Sequence, residues 1–222
     1  MSPIILYNHD GSPPCCLVRL VAGVLGLELK KVDISDIENG MRNPEMLKKN
    51  PQHTIPTIED DGLVITESRA IAMYLVSRYA KDDSLYPKEL QRRVLVDQRL
   101  FFDQDLYNRI MAVCNPLFYG KTVAESDADR MKDGLDTLSR MLDGKQWLAG
   151  DHVTLADYAV AVSLATLEYN PEFAIDAAKH PNITQWISRL EESSNTYREH
   201  IELFFETVRK ATEEEKKNAQ QK

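Results

Sequence analysis

Apolar residues along this chain keep two rhythms. Over roughly the first eighty positions, short apolar runs alternate with helically spaced stripes; beyond them only the helical spacing persists. The run IILY at 4–7 is bounded by turn formers and predicts a buried strand. PCCLVRLVAGVL at 14–25 carries its apolar residues at helical spacing, with Pro14 near the first turn, where a missing amide costs little. LELKKVDI at 27–34 alternates and predicts a second strand. Strand, helix and strand within about thirty residues make a βαβ unit. NPEMLKK at 43–49 predicts a short helix with Asn43 as N-cap and Pro44 as its first residue. TIPTIED and LVITES flank Asp60-Asp61-Gly62, a hairpin signal, and ESRAIAMYLVSRYA at 67–80 predicts an amphipathic helix. The order is βαβ, then ββα.

KDDSLYPKEL at 81–90 is polar and proline-bearing, and 81–87 is expected to be a linker. No strand pattern follows it. Helices are predicted over 88–114, 124–142, 154–168, 182–193 and 198–215, so the expected organisation is an α/β domain at 1–80 and an all-α domain at 88–222. The closing EEEKKNAQQK is expected to fray. The first long helix carries two stripes: Leu95, Phe102, Leu106, Ile110, Val113 and Leu117 on one face, and Tyr107, Met111, Cys114 and Phe118 on the next. They form either one wide core face or a core face beside a pocket wall. Asn115-Pro116 is expected to end or kink this helix. Thr154-Leu155-Ala156-Asp157 predicts a capping box with Asp at N3, a structural role without chemistry.

Charge and cysteine usage narrow the function classes. Lys+Arg 27 against Asp+Glu 35 gives a net charge of −8, which repels a phosphate backbone, so nucleic acid is a poor partner. No apolar run reaches the ~18–20 residues that a membrane span needs. MSPIILYNHDG lacks the basic n-region and the apolar length of a signal peptide. Three cysteines, two of them adjacent, do not make a disulfide framework, and reduced thiols in the cytosol are expected. Cys and His at ligand spacing are too few for a zinc site, so no metal is expected.

DGSPPCCLVRL at 10–20 holds three candidate reacting groups, the Ser12 hydroxyl and the Cys15 and Cys16 thiols. Ser12 is a natural turn former or N-cap. Cys15 falls in a first helical turn, where thiol pKa values drop. His9 and Asp10 with Ser12 suggest a hydrolytic triad, but residues so close in sequence rarely reach that geometry.

Four stretches in order, SPP before the first helix, NPQHTIP at 50–56, ESRAI at 67–71 and WLAGDHVTLADYAVA at 147–161, resemble a cytosolic glutathione S-transferase, nearest the insect delta and epsilon classes. The resemblance spans about residues 5–195. It implies a thioredoxin-like domain that binds glutathione, a helical domain that supplies a pocket for a small apolar electrophile, a homodimer, and a cis bond before Pro56, which sequence alone would not show. The Ser12 hydroxyl would then donate to the glutathione sulfur, helped by the adjacent helix N-terminus. The Ile55 backbone would pair with the ligand's cysteinyl residue. His53 would contact the glycyl carboxylate, Ser68 would hold the γ-glutamyl carboxylate, and Glu67 would meet its ammonium group. Arg69 is read as a solvated helix residue. Tyr107, Met111, Phe118 and Tyr119 would line the electrophile pocket. Met41 stands where relatives often have a second histidine, with Arg42 and Lys49 nearby as substitute cations.

The resemblance implies conjugation of the glutathione thiolate to small apolar electrophiles. Peroxidase or isomerase chemistry in the same site is a second reading, and an apolar-ligand carrier, its glutathione site weakened by Met41, is a third. Dehydroascorbate or disulfide reduction through Cys15 is a fourth. Cys15 and Cys16 are read as packing residues, and Cys16 stands where many relatives have a basic residue.

Overall fold

The apolar run at the start of the chain becomes an inner strand of a four-stranded sheet of order β2-β1-β3-β4. The computed structural model describes residues 3–169 and 171–220. β1 (Ile4–Asn8) pairs parallel with β2 (Leu29–Asp33) and antiparallel with β3 (Thr57–Asp60), which pairs antiparallel with β4 (Leu63–Thr66). The β3–β4 hairpin turns through Asp61 and Gly62, both at positive φ, as the tight hairpin expected from this sequence requires. Lys30 and Lys31 are exposed on the edge strand β2, where charge discourages pairing with another chain.

Helix α1 (Pro13–Val24) is buried without a break from Cys15 to Ala22. A helix apolar on all sides belongs inside a fold. α2 (Pro44–Lys49) starts as its sequence dictates: Asn43 Oδ1 accepts from the Glu45 amide at 2.9 Å and Pro44 is the first residue. α3 (Ser68–Tyr79) packs beside α1. This order is the βαβ–ββα arrangement that the hydrophobic pattern predicts, and the thioredoxin-like one that the resemblance implies.

The chain forms two compact units, one made of the segment up to Tyr79 together with the segment from Thr196 onward, the other of Ala80–Asn195. The last helix, α8 (Asn195–Gln220), therefore counts with the first unit, although the sequence suggests a helical domain running from 88 to 222. The contact with α1 is tight: a Cβ on Gly23 would lie 2.9 Å from His200 Cε1 and from Thr196 Cγ2, and the Cys16 thiol donates to the His200 carbonyl. α8 also continues to Gln220, through residues expected to fray.

The second unit is helical: α4 (Leu90–Phe118), α5 (Glu125–Leu142), α6 (Leu155–Ala165) and α7 (Pro181–Ser193). Two expectations for α4 are corrected. Pro116 does not end the helix, which runs on to Phe118. The stop lies just beyond it: the Gly120 amide bonds to the Leu117 carbonyl and the Lys121 amide to the Pro116 carbonyl, a Schellman motif closed by Gly120 at φ +65°. The core stripe is also shifted in the first half of the helix. Val96, Leu100 and Asp103 are buried with Leu106, Ile110 and Val113, whereas Leu95 is exposed. The buried acid Asp103 interrupts the apolar series and pulls a pattern-based reading one position off register.

All eleven residues of α6 are buried. Its first turn forms the predicted capping box, and Asp157 does more than cap. Asp157 Oδ2 accepts from the Thr154 amide at 2.8 Å and the Thr154 hydroxyl at 2.9 Å, while Oδ1 accepts from the Leu148 amide and from Trp186 Nε1, both at 2.9 Å. Burial raises the pKa of this carboxyl, and the four donors oppose that. Asp157→Ala orphans four donors in a dry interior and is expected to lower the unfolding free energy by about 3–5 kcal/mol, read as a lower urea midpoint. An unchanged midpoint would show that these donors find water.

Candidate functional site at one edge of the sheet

Strand register gathers the sequence-predicted residues. Thr57 faces Tyr7 on one side and Thr66 on the other. The end of β1, the start of β3 and the end of β4 therefore meet at one edge of the sheet. Ser12 follows the first, Ile55-Pro56 precede the second, and Glu67-Ser68 follow the third. Segments as far apart in sequence as Ser12 and Glu67 become neighbours by pairing alone, at the strand ends where α/β folds place ligand sites.

Ser12 is the N-cap of α1, with extended backbone (φ −92°, ψ 118°), and its Oγ accepts from the Cys15 amide at 3.4 Å. The cap uses a lone pair of the hydroxyl and leaves its proton to donate. The turn before it is held from inside. Arg19 is 4 % exposed, and its Nη1 donates to Asn8 Oδ1 at 2.6 Å and to the His9 carbonyl at 3.4 Å. Nη2 donates to the Asp10 carbonyl at 3.0 Å, and the Asp10 carboxylate lies 3.4 Å from the same guanidinium. Asp10 is thereby committed to Arg19, and the Asn8 side chain donates to its carboxylate at 2.8 Å, which leaves the triad reading without its acid.

The cysteines are all buried. Cys15 and Cys16 are fully buried, burial pushes the Cys15 thiol up, and it pushes Cys16 to about 12. Desolvation of the thiolate in the core outweighs the lowering influence of the Ser12 hydrogen bond and of Arg19.

The loop before β3 turns on a buried asparagine. Asn50 Nδ2 donates to the Thr54 carbonyl and to Thr57 Oγ1, both at 3.0 Å, and its Oδ1 accepts from the Gln52 amide at 2.9 Å. Thr57 Oγ1 donates in turn to the Thr54 carbonyl at 3.0 Å. Between these clamps His53 takes φ +48° and the Ile55-Pro56 bond is cis. Glu67 takes φ +66° at the turn into α3, exposed, while Ser68 behind it is buried and its Oγ accepts from Arg69 at 3.2 Å. Left-handed backbone at a histidine and a glutamate costs about 1–3 kcal/mol each and gathers at functional sites. Sequence reasoning missed Arg19 and Asn50. The signals were a lone cation amid the apolar residues of α1 and an Asn-Pro step opening the loop.

Met41 is buried in a small cluster with Tyr7 and Met46, so its position offers this edge neither charge nor donor. Lys49 is no substitute. Its ammonium donates to Tyr7 Oη at 2.8 Å and to Glu59, an engagement that holds the Lys49 pKa up. Arg42 is exposed.

In the second unit, Tyr107, Met111 and Phe118 share one face of α4, about 100° from the face of Leu106, Ile110 and Val113. Tyr107 and Met111 are half-buried, Phe118 is exposed, and the Phe118 and Tyr119 rings meet edge-to-face at 5.3 Å. The second apolar stripe is therefore an open wall beside the core stripe, though Cys114 within it is buried.

No helix among the described residues is long and apolar enough to cross a membrane, and no group of three or more His, Cys, Asp or Glu among them is placed to hold a metal ion. Asn50→Ala is expected to lower the unfolding free energy by about 2 kcal/mol and to speed hydrogen exchange at the Gln52 amide in particular. Uniform acceleration along the chain would assign Asn50 to global stability alone.

Comparison with known proteins gives the family. The family model of the glutathione S-transferase N-terminal domain matches residues 6–83, and that of the C-terminal domain matches 104–194. Glutathione S-transferase D7 of Drosophila melanogaster is 37 % identical over 205 residues, covering 91 % of this chain and 90 % of its own. The structure of the Bombyx mori glutathione transferase BmGSTD1 superposes with a TM-score of 0.87 at 39 % identity, covering 96 % of this chain and 98 % of that one. That of a glutathione transferase homologue from Drosophila mojavensis, with bound glutathione, gives 0.78 at 34 % identity, with coverages of 93 % and 98 %. With both domains matched, and a relative 37 % identical across nine-tenths of the chain, the chain belongs to the glutathione S-transferase family.

Proposed function

We propose that this enzyme conjugates the thiolate of glutathione to small apolar electrophiles, with Ser12 as the residue that holds the thiolate. The observation that carries the reading is the cap geometry: Ser12 Oγ accepts from the helix and keeps a proton to give, at the positive end of α1. The sulfur would receive that hydrogen bond and the field of the helix terminus together. Both favour thiolate over thiol, and the thiolate is the nucleophile. A thiol pKa lowered by two units corresponds to about 2.7 kcal/mol, within reach of one charge-assisted hydrogen bond and one helix end. Ser12 stays protonated and forms no covalent bond. Glutathione is the co-substrate, and the step needs no metal.

The other contacts follow the edge of the sheet. The Ile55 backbone, presented by the cis bond to Pro56, would pair with the cysteinyl residue, and His53 with the glycyl carboxylate. Ser68 at the start of α3 would hold the γ-glutamyl carboxylate, with Glu67 beside its ammonium group. In this reading residues 1–80 carry glutathione, 81–87 link, and the helices of 88–222 offer Tyr107, Met111, Phe118 and Tyr119 to the electrophile. Buried reduced thiols suit a cytoplasmic location.

A homodimer is part of the proposal. Leu90, Val94 and Phe101 lie within about 40° of one another on the outer face of α4, exposed by 75 %, 47 % and 78 %. Such a stripe in a water-facing helix marks an interaction surface.

Ser12→Ala is expected to return the pKa of bound glutathione towards its free value by about two units, seen in ultraviolet thiolate absorbance against pH, and to slow conjugation up to about a hundredfold below the wild-type pKa. Cys15→Ser should leave both unchanged. The reverse pattern would assign the chemistry to Cys15. Phe101→Glu is expected to shift the sedimenting species from dimer to monomer; a dimer of unchanged affinity would place the interface elsewhere.

A further inference from the structure

A cavity of about 180 Å³ opens in the first unit among α1, β2 and α8, and none of the strand-end residues lines it. Its wall combines three basic side chains, Arg19, Lys31 and His200, with three leucines, Leu27, Leu29 and Leu203. A cavity of about 150 Å³ holds a benzene ring, so this one is the size of a single ring or a short alkyl chain.

The polar side of the wall is short of negative charge. The Asp10 carboxylate serves two cations, at 3.4 Å from Arg19 and 3.8 Å from Lys31. Arg19 Nε is buried and makes no hydrogen bond among the described residues. His200 Nδ1 lies 2.8 Å from the Thr196 carbonyl, and a carbonyl only accepts, so Nδ1 carries the proton. Neutral His200 therefore presents a bare lone pair at Nε2, and protonation would turn that atom into a donor. Burial and the charges of Arg19 on α1 and Lys31 on β2 hold the imidazole pKa down, against the Thr196 carbonyl and Glu199 on its own helix. An anion in the cavity would reverse that balance.

We propose that this cavity is a second binding site, separate from the glutathione site, for a small amphipathic monoanion: an aromatic or short-chain carboxylate. Its carboxylate would lie between Lys31 Nζ and His200 Nε2, and its apolar body on the three leucines. His200 would take up one proton from solvent as the anion binds.

The probe is para-fluorobenzoate, followed by fluorine NMR on the full-length protein with the glutathione site saturated by S-hexylglutathione. One probe per chain should bind saturably, shift the His200 imidazole signals and raise the midpoint of their titration. The neutral isostere para-fluorobenzyl alcohol and the variant Lys31→Glu should each weaken binding by about tenfold, as loss of one ion pair near the surface predicts. Lys31→Glu should conjugate glutathione at the wild-type rate. Absence of saturable binding, equal binding of the alcohol, or binding that leaves the His200 signals or Lys31→Glu unaffected would overturn the proposal.

Discussion

The register of β3 between its two antiparallel neighbours is the constraint on which everything else rests. Because Thr57 sits opposite both Tyr7 and Thr66, the turn that follows β1, the loop that precedes β3 and the turn that follows β4 open at the same edge. A slip of one residue would turn Ile58 from the core to the other face and carry Pro56 past the turn that holds Ser12. Register is firmly specified because Leu6 and Ile58, paired at the centre, are both fully buried.

Around that edge the chain supplies order from behind. Arg19 ties the backbone of His9 and Asp10 from within α1, and Asn50 ties the loop that carries His53. Neither faces a ligand in the proposed mechanism. Their work is to hold strained or irregular backbone where regular hydrogen bonding has stopped, so that the exposed groups meet a substrate already in position. The helical unit is organised in the same way about Asp157, one buried carboxylate that joins a helix start, a loop amide and an indole.

Much of this was legible in the chain itself. The strand and helix order of the first eighty residues follows from periodicity, and the DDG turn, the Asn43-Pro44 start and the Thr154–Asp157 box each declare themselves by residue type. The site residues were legible only through family resemblance, since a serine before a helix is most often just a cap. The misreadings have physical causes. Asp103, buried in an apolar face, hides the true stripe of α4. Pro116 looks like a stop, but the helix runs past it for two residues and Gly120, at positive φ, decides the end. The place of α8 beside α1 depends on a pairing across almost two hundred residues, which no local pattern carries.

That pairing bears on how the protein is made. Gly23 and Cys16 lie against the turn of α8 around His200. On the ribosome, all the strands of the first unit emerge before a single residue of the segment that covers this part of α1. The first unit cannot finish folding in the order in which it is synthesised. It must wait, with an apolar seam of α1 open, while the whole helical unit is translated. A nascent chain stalled before residue 196 would thus offer chaperones a binding surface that the finished enzyme does not have.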